Sequence, residues 1–134
     1  MPKLDLDDAR SYEDEQFAAN ELHHSDAAKV VYACFEPGQF IPVHAPESDV
    51  VVDVRSGSGI VREGEESHPV DAGEVVAVEA GVERGIRTGD ERLETLLVTA
   101  PSPTHAEHEP VRRGLANGEF EPALPAETAE GDGR

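Results

Sequence analysis

Gly38-Gln39-Phe40-Ile41-Pro42-Val43-His44-Ala45-Pro46 runs into Val50-Val51-Val52-Asp53-Val54-Arg55 and then Ser56-Gly57-Ser58-Gly59. Val50, Val52 and Val54 recur with the period of a strand, so they form one apolar row, while Asp53 and Arg55 face the other way. Gly57 and Gly59 allow a tight turn or a bulge where the strand ends. A second glycine-punctuated unit follows, from Asp71-Ala72-Gly73 through Val75–Val78 to Glu79-Ala80-Gly81-Val82-Glu83-Arg84. Working outward, Lys29–Glu36 is β-branched and aromatic, and Pro37-Gly38 stops it. Ile60–Arg62 and Ser67–Val70 read as a hairpin about Glu63-Gly64-Glu65-Glu66. Arg84–Arg87 continues as extended chain. Arg92–Thr99 alternates, with Leu93, Thr95 and Leu97 on one face and Leu96 and Val98 on the other. Short strands at turn spacing, with no convincing helix between them, predict an all-β barrel or sandwich. Pro101, Pro103 and Pro110 argue against a helix there, and from Val111 a short strand or extended segment is expected to pass Leu115 and Phe120.

The spacing resembles the two motifs of the cupin family. In the first motif a glycine precedes His-x-His, then a glutamate and a closing glycine. Gly38, His44 and Gly57 match, while Pro46 stands for the second histidine and Val50 for the glutamate. In the second motif a glycine precedes Pro-x-Gly and a histidine. Gly73 and Gly81 match, while Glu79 stands for the proline and Arg84 for the histidine. The resemblance covers about half the chain directly. It implies a small barrel of the double-stranded β-helix (jelly-roll) type, and a homodimer paired through edge strands.

In the family the three histidines and the glutamate hold a divalent metal inside the barrel. Of that set this chain keeps His44. Pro46 has no donor, Val50 is apolar, and a guanidinium at Arg84 offers no lone pair and repels a metal ion. No metal or other cofactor is therefore expected. The alternative is a divalent ion held by His44 with Glu47 and Asp49, which flank the lost positions. The valine row argues against Asp49, whereas Glu47 precedes the strand and is freer. If Arg84 points inward, a buried cation sits near His44 and needs a partner. Glu79, Glu47 and Asp53 are internal candidates, and a ligand carboxylate or phosphate gripped by the guanidinium fork is the other.

The chain has 134 residues, 29 of them Asp or Glu against 11 Lys or Arg, and a formal net charge of -18. Lys3 and Lys29 are its two lysines. Acid spread along every segment reads as a halophile-like surface adapted to salt rather than a docking patch, and a nucleic-acid partner is not expected. Cys34 is the single cysteine, which rules out an internal disulfide and reads as a buried, inert thiol. No signal peptide and no apolar run near the ~18 residues of a membrane helix is present, so no membrane partner is expected and the expected location is cytoplasmic. His23-His24, His68 and the His105/His108 pair read as surface histidines. Residues 1–27 are expected to form an arm, with Leu4, Leu6, Tyr12 and Phe17 docking it or adding a strand. Residues 28–121 form the barrel and 122–134 an acidic disordered tail.

The leading functional expectation is a metal-free module binding a small ligand, anionic if Arg84 reads it, with His44 and Arg84 as contacts in the barrel. An enzyme is the alternative. It is either metal-dependent, like the dioxygenases and isomerases that the resemblance brings in, or metal-free, with His44 as general base beside Arg84. A structural barrel filled by Val50, Val52 and Val54 is the third.

Overall fold

The computed structural model of the chain describes residues 3–121, so the tail expected over 122–134 lies outside the described residues. The order is α1 (Leu6–Ala9), β1 (Ala18–His24), β2 (Lys29–Phe35), β3 (Phe40–His44), β4 (Asp49–Glu63), β5 (Glu66–Asp71), β6 (Val75–Val78), β7 (Arg84–Arg87) and β8 (Leu93–Ala100). A 3-10 turn, Ala106–His108, then leads into α2 (Glu109–Asn117). All strand pairs are antiparallel, in the order β1-β2-β8-β4-β7-β3, with β5 and β6 also on β4. This curled, all-β arrangement is the double-stranded β-helix that the motif spacing implied.

The strand predicted to end at Ser56–Gly59 does not end there. β4 runs on to Glu63 and belongs to both halves of the barrel. Its first half lies between β8 and β6, and its second between β5 and β7. The crossing is made at a register shift between Val54 and Ser56, followed by Gly57 at φ 80. The glycines thus serve a bulge that bends one long strand, not a turn between two. The hairpin after β4 turns at Gly64, whose φ is 59.

Val50, Val52 and Val54 form the inner row and pack with Ala33, Phe35, Val61, Val70, Val78, Ile86 and Leu93. Leu96, from the opposite face of β8, joins Ala18, Tyr32 and Cys34 in a second cluster outside the barrel. The N-terminal arm covers that cluster with Leu6, Ala9 and Tyr12, whereas Leu4 stays exposed. Cys34 is fully buried, and burial pushes its thiol above the ordinary value.

Glu94 fastens the arm. Its carboxylate accepts from Tyr32 Oη at 2.6 Å, Tyr12 Oη at 2.6 Å and Arg10 Nε at 2.7 Å. Burial pushes this carboxyl up, but the hydrogen bonds from Arg10, Tyr12 and Tyr32 outweigh it and hold it below its ordinary range. A carboxyl lowered on folding adds stability above its unfolded pKa of about 4.3 and loses it as pH falls through the folded value. Glu94→Gln is therefore expected to lower stability by about 2–3 kcal/mol at neutral pH, since it weakens charge-assisted bonds in a buried network. Urea unfolding at pH 7 and again well below pH 4 checks this: the gap between parent and variant should shrink in acid.

The segment after Pro101 departs from expectation. A helix forms where prolines argued against one, because Pro110 falls in the first turn of α2, where its missing N–H removes no hydrogen bond. Gly118 closes the helix in the left-handed region at φ 70. The expected extended passage of Val111 and Leu115 is thus helical. The chain then returns to the barrel through Phe120. Val43 N donates to Phe120 O at 2.7 Å, and the Phe120 ring meets Phe40 edge-on at 6.0 Å. Gly114 lets α2 approach β3, since a Cβ there would lie 2.7 Å from Pro42.

Candidate functional site

The barrel encloses a cavity of about 290 Å³. Its apolar wall includes Phe17, Val31, Ile41, Val50, Val52, Val61, Ile86 and Leu97. The polar groups are His44 at the end of β3, Arg84 at the start of β7, Lys29 at the start of β2, Thr99 in β8, His108 at the end of the 3-10 turn and Arg112 in α2. No Asp or Glu lines it among the described residues.

His44 and Arg84 are register partners across the β3–β7 ladder. Both are buried, Arg84 being 6% exposed. Arg84 Nη2 donates to Glu79 O at 2.8 Å and Nε to Val82 O at 3.2 Å, while the buried Nη1 has no hydrogen-bond partner. Among the described residues no carboxylate pairs with this guanidinium. The internal partners expected from the sequence are accounted for otherwise. Glu79 contributes its carbonyl and not its side chain. Asp53 pairs with Arg55 at 3.4 Å. Burial lowers the Arg84 pKa, and Asp49 and Glu47 act on it only as more distant charges that raise it.

His44 Nδ1 lies 3.0 Å from Pro42 O. Burial is the main cause that lowers its pKa to about 4. The Pro42 bond opposes the shift, and the charges of His108 and Arg84 reinforce it. His44 is therefore neutral at physiological pH; with Nδ1–H donated to the Pro42 carbonyl, Nε2 carries the lone pair and can only accept. The His108 ring meets the His44 ring edge-on with centroids 5.7 Å apart. Its pKa is also lowered, by burial first and then by Lys29 and Arg112. His108 is thus not the surface histidine that the sequence suggested.

A cupin-type divalent metal does not fit these residues. His44, Glu47 and Asp49 do not converge as a ligand set. Asp49 Oδ1 accepts from Ala80 N at 2.9 Å, and the Glu47 carboxylate lies against Gly81. Val50 faces the cavity as a wall, and a cation occupies position 84. Among the described residues, Glu63, Glu66 and His68 are the set whose donor atoms lie within 4.8 Å of one another, on the β4–β5 hairpin. There His68 Nε2 is 2.9 Å from Glu63 and 3.7 Å from Glu66, the geometry of a surface ion-pair cluster.

Sequence reasoning did not place Lys29, His108, Arg112 or Thr99 in the site. Thr99 joins Lys29 because the two are register partners, and Val50 pairs with Thr99 in turn. The signal for the helical residues was available: Pro110 and Gly118 bracket a helix, and Glu109 and Arg113 lie one turn apart and bond at 3.0 Å.

Neither a family model nor a curated protein matches the chain. Solved structures do. TT1209 from Thermus thermophilus is 31% identical, with a TM-score of 0.74 over 77% of this chain and 100% of that one. An RmlC-like cupin protein from Desulfovibrio desulfuricans is 27% identical, with a TM-score of 0.67 over 75% and 97%. An uncharacterized conserved protein with a double-stranded β-helix domain from Klebsiella pneumoniae is 21% identical, with a TM-score of 0.69 over 75% and 90%. The last shares the fold. Together with the β4 crossover and the glycine spacing of both motifs, these likenesses identify the chain as a member of the cupin superfamily, of the RmlC-like double-stranded β-helix kind.

Proposed function

We propose that the chain is a metal-free binding module for a small organic anion, held in the barrel with its acidic group on Arg84, beside His44, and its apolar part against the valine wall. The observation that carries this reading is Arg84, a residue lining the cavity whose guanidinium is buried with no carboxylate partner and an unbonded Nη1 among the described residues. An unpaired buried cation is unfavourable by several kcal/mol unless something compensates it, and a carboxylate in the cavity would supply that compensation. The rest of the cavity suits the same class of ligand, because its wall is aliphatic and no Asp or Glu lines it among the described residues.

Titration calorimetry with pentanoate against a neutral isostere such as pentanol tests this. The anion should bind with a Kd in the micromolar to millimolar range, and the alcohol should bind at least about tenfold more weakly, the equivalent of one charge-assisted hydrogen bond. Elemental analysis of the same protein, purified without a metal-affinity tag, should find no stoichiometric divalent ion. Equal binding of acid and alcohol, or a full equivalent of metal, would overturn the reading.

A further inference from the structure

The cations of this acidic chain are not placed alike. Arg10, Arg55, Arg62, Arg92 and Arg113 are ion-paired to carboxylates. Lys3 is exposed in the arm, and Arg87 is exposed and lies over the Phe120 ring. Lys29, Arg84 and Arg112 have no carboxylate pair among the described residues, and all three line the cavity. With 29 acidic residues available, three such cations at one cavity are not a by-product of composition.

They form two centres, not one. Arg84 stands beside His44 on the β3–β7 half of the barrel. Lys29 lies on the opposing half, in register with Thr99, and its charge acts on His108, as does that of Arg112. His108 in turn meets the His44 ring edge-on. Lys29 is half-buried and makes no ion pair among the described residues, and Arg112, exposed at the cavity rim, donates Nη1 to His105 O at 2.9 Å.

We propose that Lys29, His108 and Arg112 form a second anion subsite, so that the cavity takes a short aliphatic dianion: one acidic group on Arg84, the other at the rim, and methylenes between them against the apolar wall. This rests on the anion-site reading of Arg84 and narrows it. A single acid satisfies one centre and leaves the other unpaired. A compact dianion such as phosphate has no apolar segment to place against Val50, Val52 and Leu97.

The test is calorimetry on the full chain with glutarate, pentanoate and inorganic phosphate, in low-chloride buffer at the lowest salt at which the protein stays folded. Glutarate is expected to bind about tenfold tighter than pentanoate, and phosphate more weakly than glutarate. In the Lys29→Gln/Arg112→Gln variant, glutarate should fall to the level of pentanoate, with pentanoate unchanged. Circular dichroism confirms that the variant is folded. Equal affinity for glutarate and pentanoate would overturn the second subsite and leave the single-anion reading intact. Loss of both ligands in the double variant would overturn both readings, because the single acid would then depend on Lys29 and Arg112 rather than on Arg84. Tightest binding of phosphate would mean that the cations converge on one point, which also overturns the two-centre arrangement. Failure of all three ligands to bind would overturn this proposal and the reading beneath it.

Discussion

Replacing Arg84 with methionine is expected to weaken binding of a small organic anion by roughly 30- to 700-fold, because losing a buried charge partner costs about 2–4 kcal/mol of binding. The same change is expected to leave the melting temperature of the ligand-free protein no lower than the parent's. Two effects oppose each other in the ligand-free state. Arg84→Met gives up the bonds to the Glu79 and Val82 carbonyls, at about 1 kcal/mol each. It also removes a buried cation with an unpartnered Nη1 and no carboxylate at salt-bridge distance, which relieves a desolvation cost of several kcal/mol. Were Arg84 half of an internal ion pair, its loss would instead cost about 3–5 kcal/mol of stability by stranding the partner charge. Calorimetry and a thermal melt on the same sample separate the two cases. A third readout is His44, whose pKa the Arg84 charge helps to lower. In the variant its NMR titration should move up from about 4.

Gly57→Ala is expected to be among the most damaging single substitutions in the barrel, lowering stability by about 3–5 kcal/mol or preventing folding. Two independent reasons combine. The backbone of Gly57 has φ 80, which carries a penalty of about 1–2 kcal/mol for a residue with a Cβ. A Cβ there would also lie 1.8 Å from the carbonyl oxygen of Arg92, so the β4–β8 ladder must part to admit it. This is the point where β4 leaves one half of the barrel for the other, and the lining of the cavity draws on both halves. Gly73→Ala is the control. Its φ is 93, but a Cβ there meets nothing within 4 Å, so it should show the backbone penalty alone. Urea unfolding of both variants checks the difference. Similar small losses in each would mean that the bulge tolerates displacement.

How much of this was legible in the sequence follows from the range of the interactions. The valine row of β4, the Leu93-Thr95-Leu97 face of β8 and the hairpin about Gly64 were readable because strand periodicity and turn chemistry are local. The continuation of β4 through Gly57 was not. A bulge and a turn ask for the same glycine, and the choice between them is made by β8 and β5, which pair with β4 from distant parts of the chain. α2 is hard to read from the sequence because a proline breaks a helix interior yet suits a first turn, and only the fold places Pro110 in the first turn. Half of the candidate site was visible as well. His44 and Arg84 stood out through motif spacing, whereas Lys29 and His108 reach the cavity from opposite ends of the sequence. Only the folded register brings them there. The same limit applied to the Arg84 partner: Glu79 is near in sequence and Glu47 and Asp53 lie by the first motif, but among the described residues none of their carboxylates pairs with it.

The most direct test of the anion site is a high-resolution crystal structure of the protein grown with saturating glutarate. The account predicts a carboxylate in the barrel within hydrogen-bond distance of the Arg84 guanidinium, with the aliphatic chain against Val50 and Val52. A cavity holding only water, with the Glu47 side chain turned in to pair with Arg84, would contradict it.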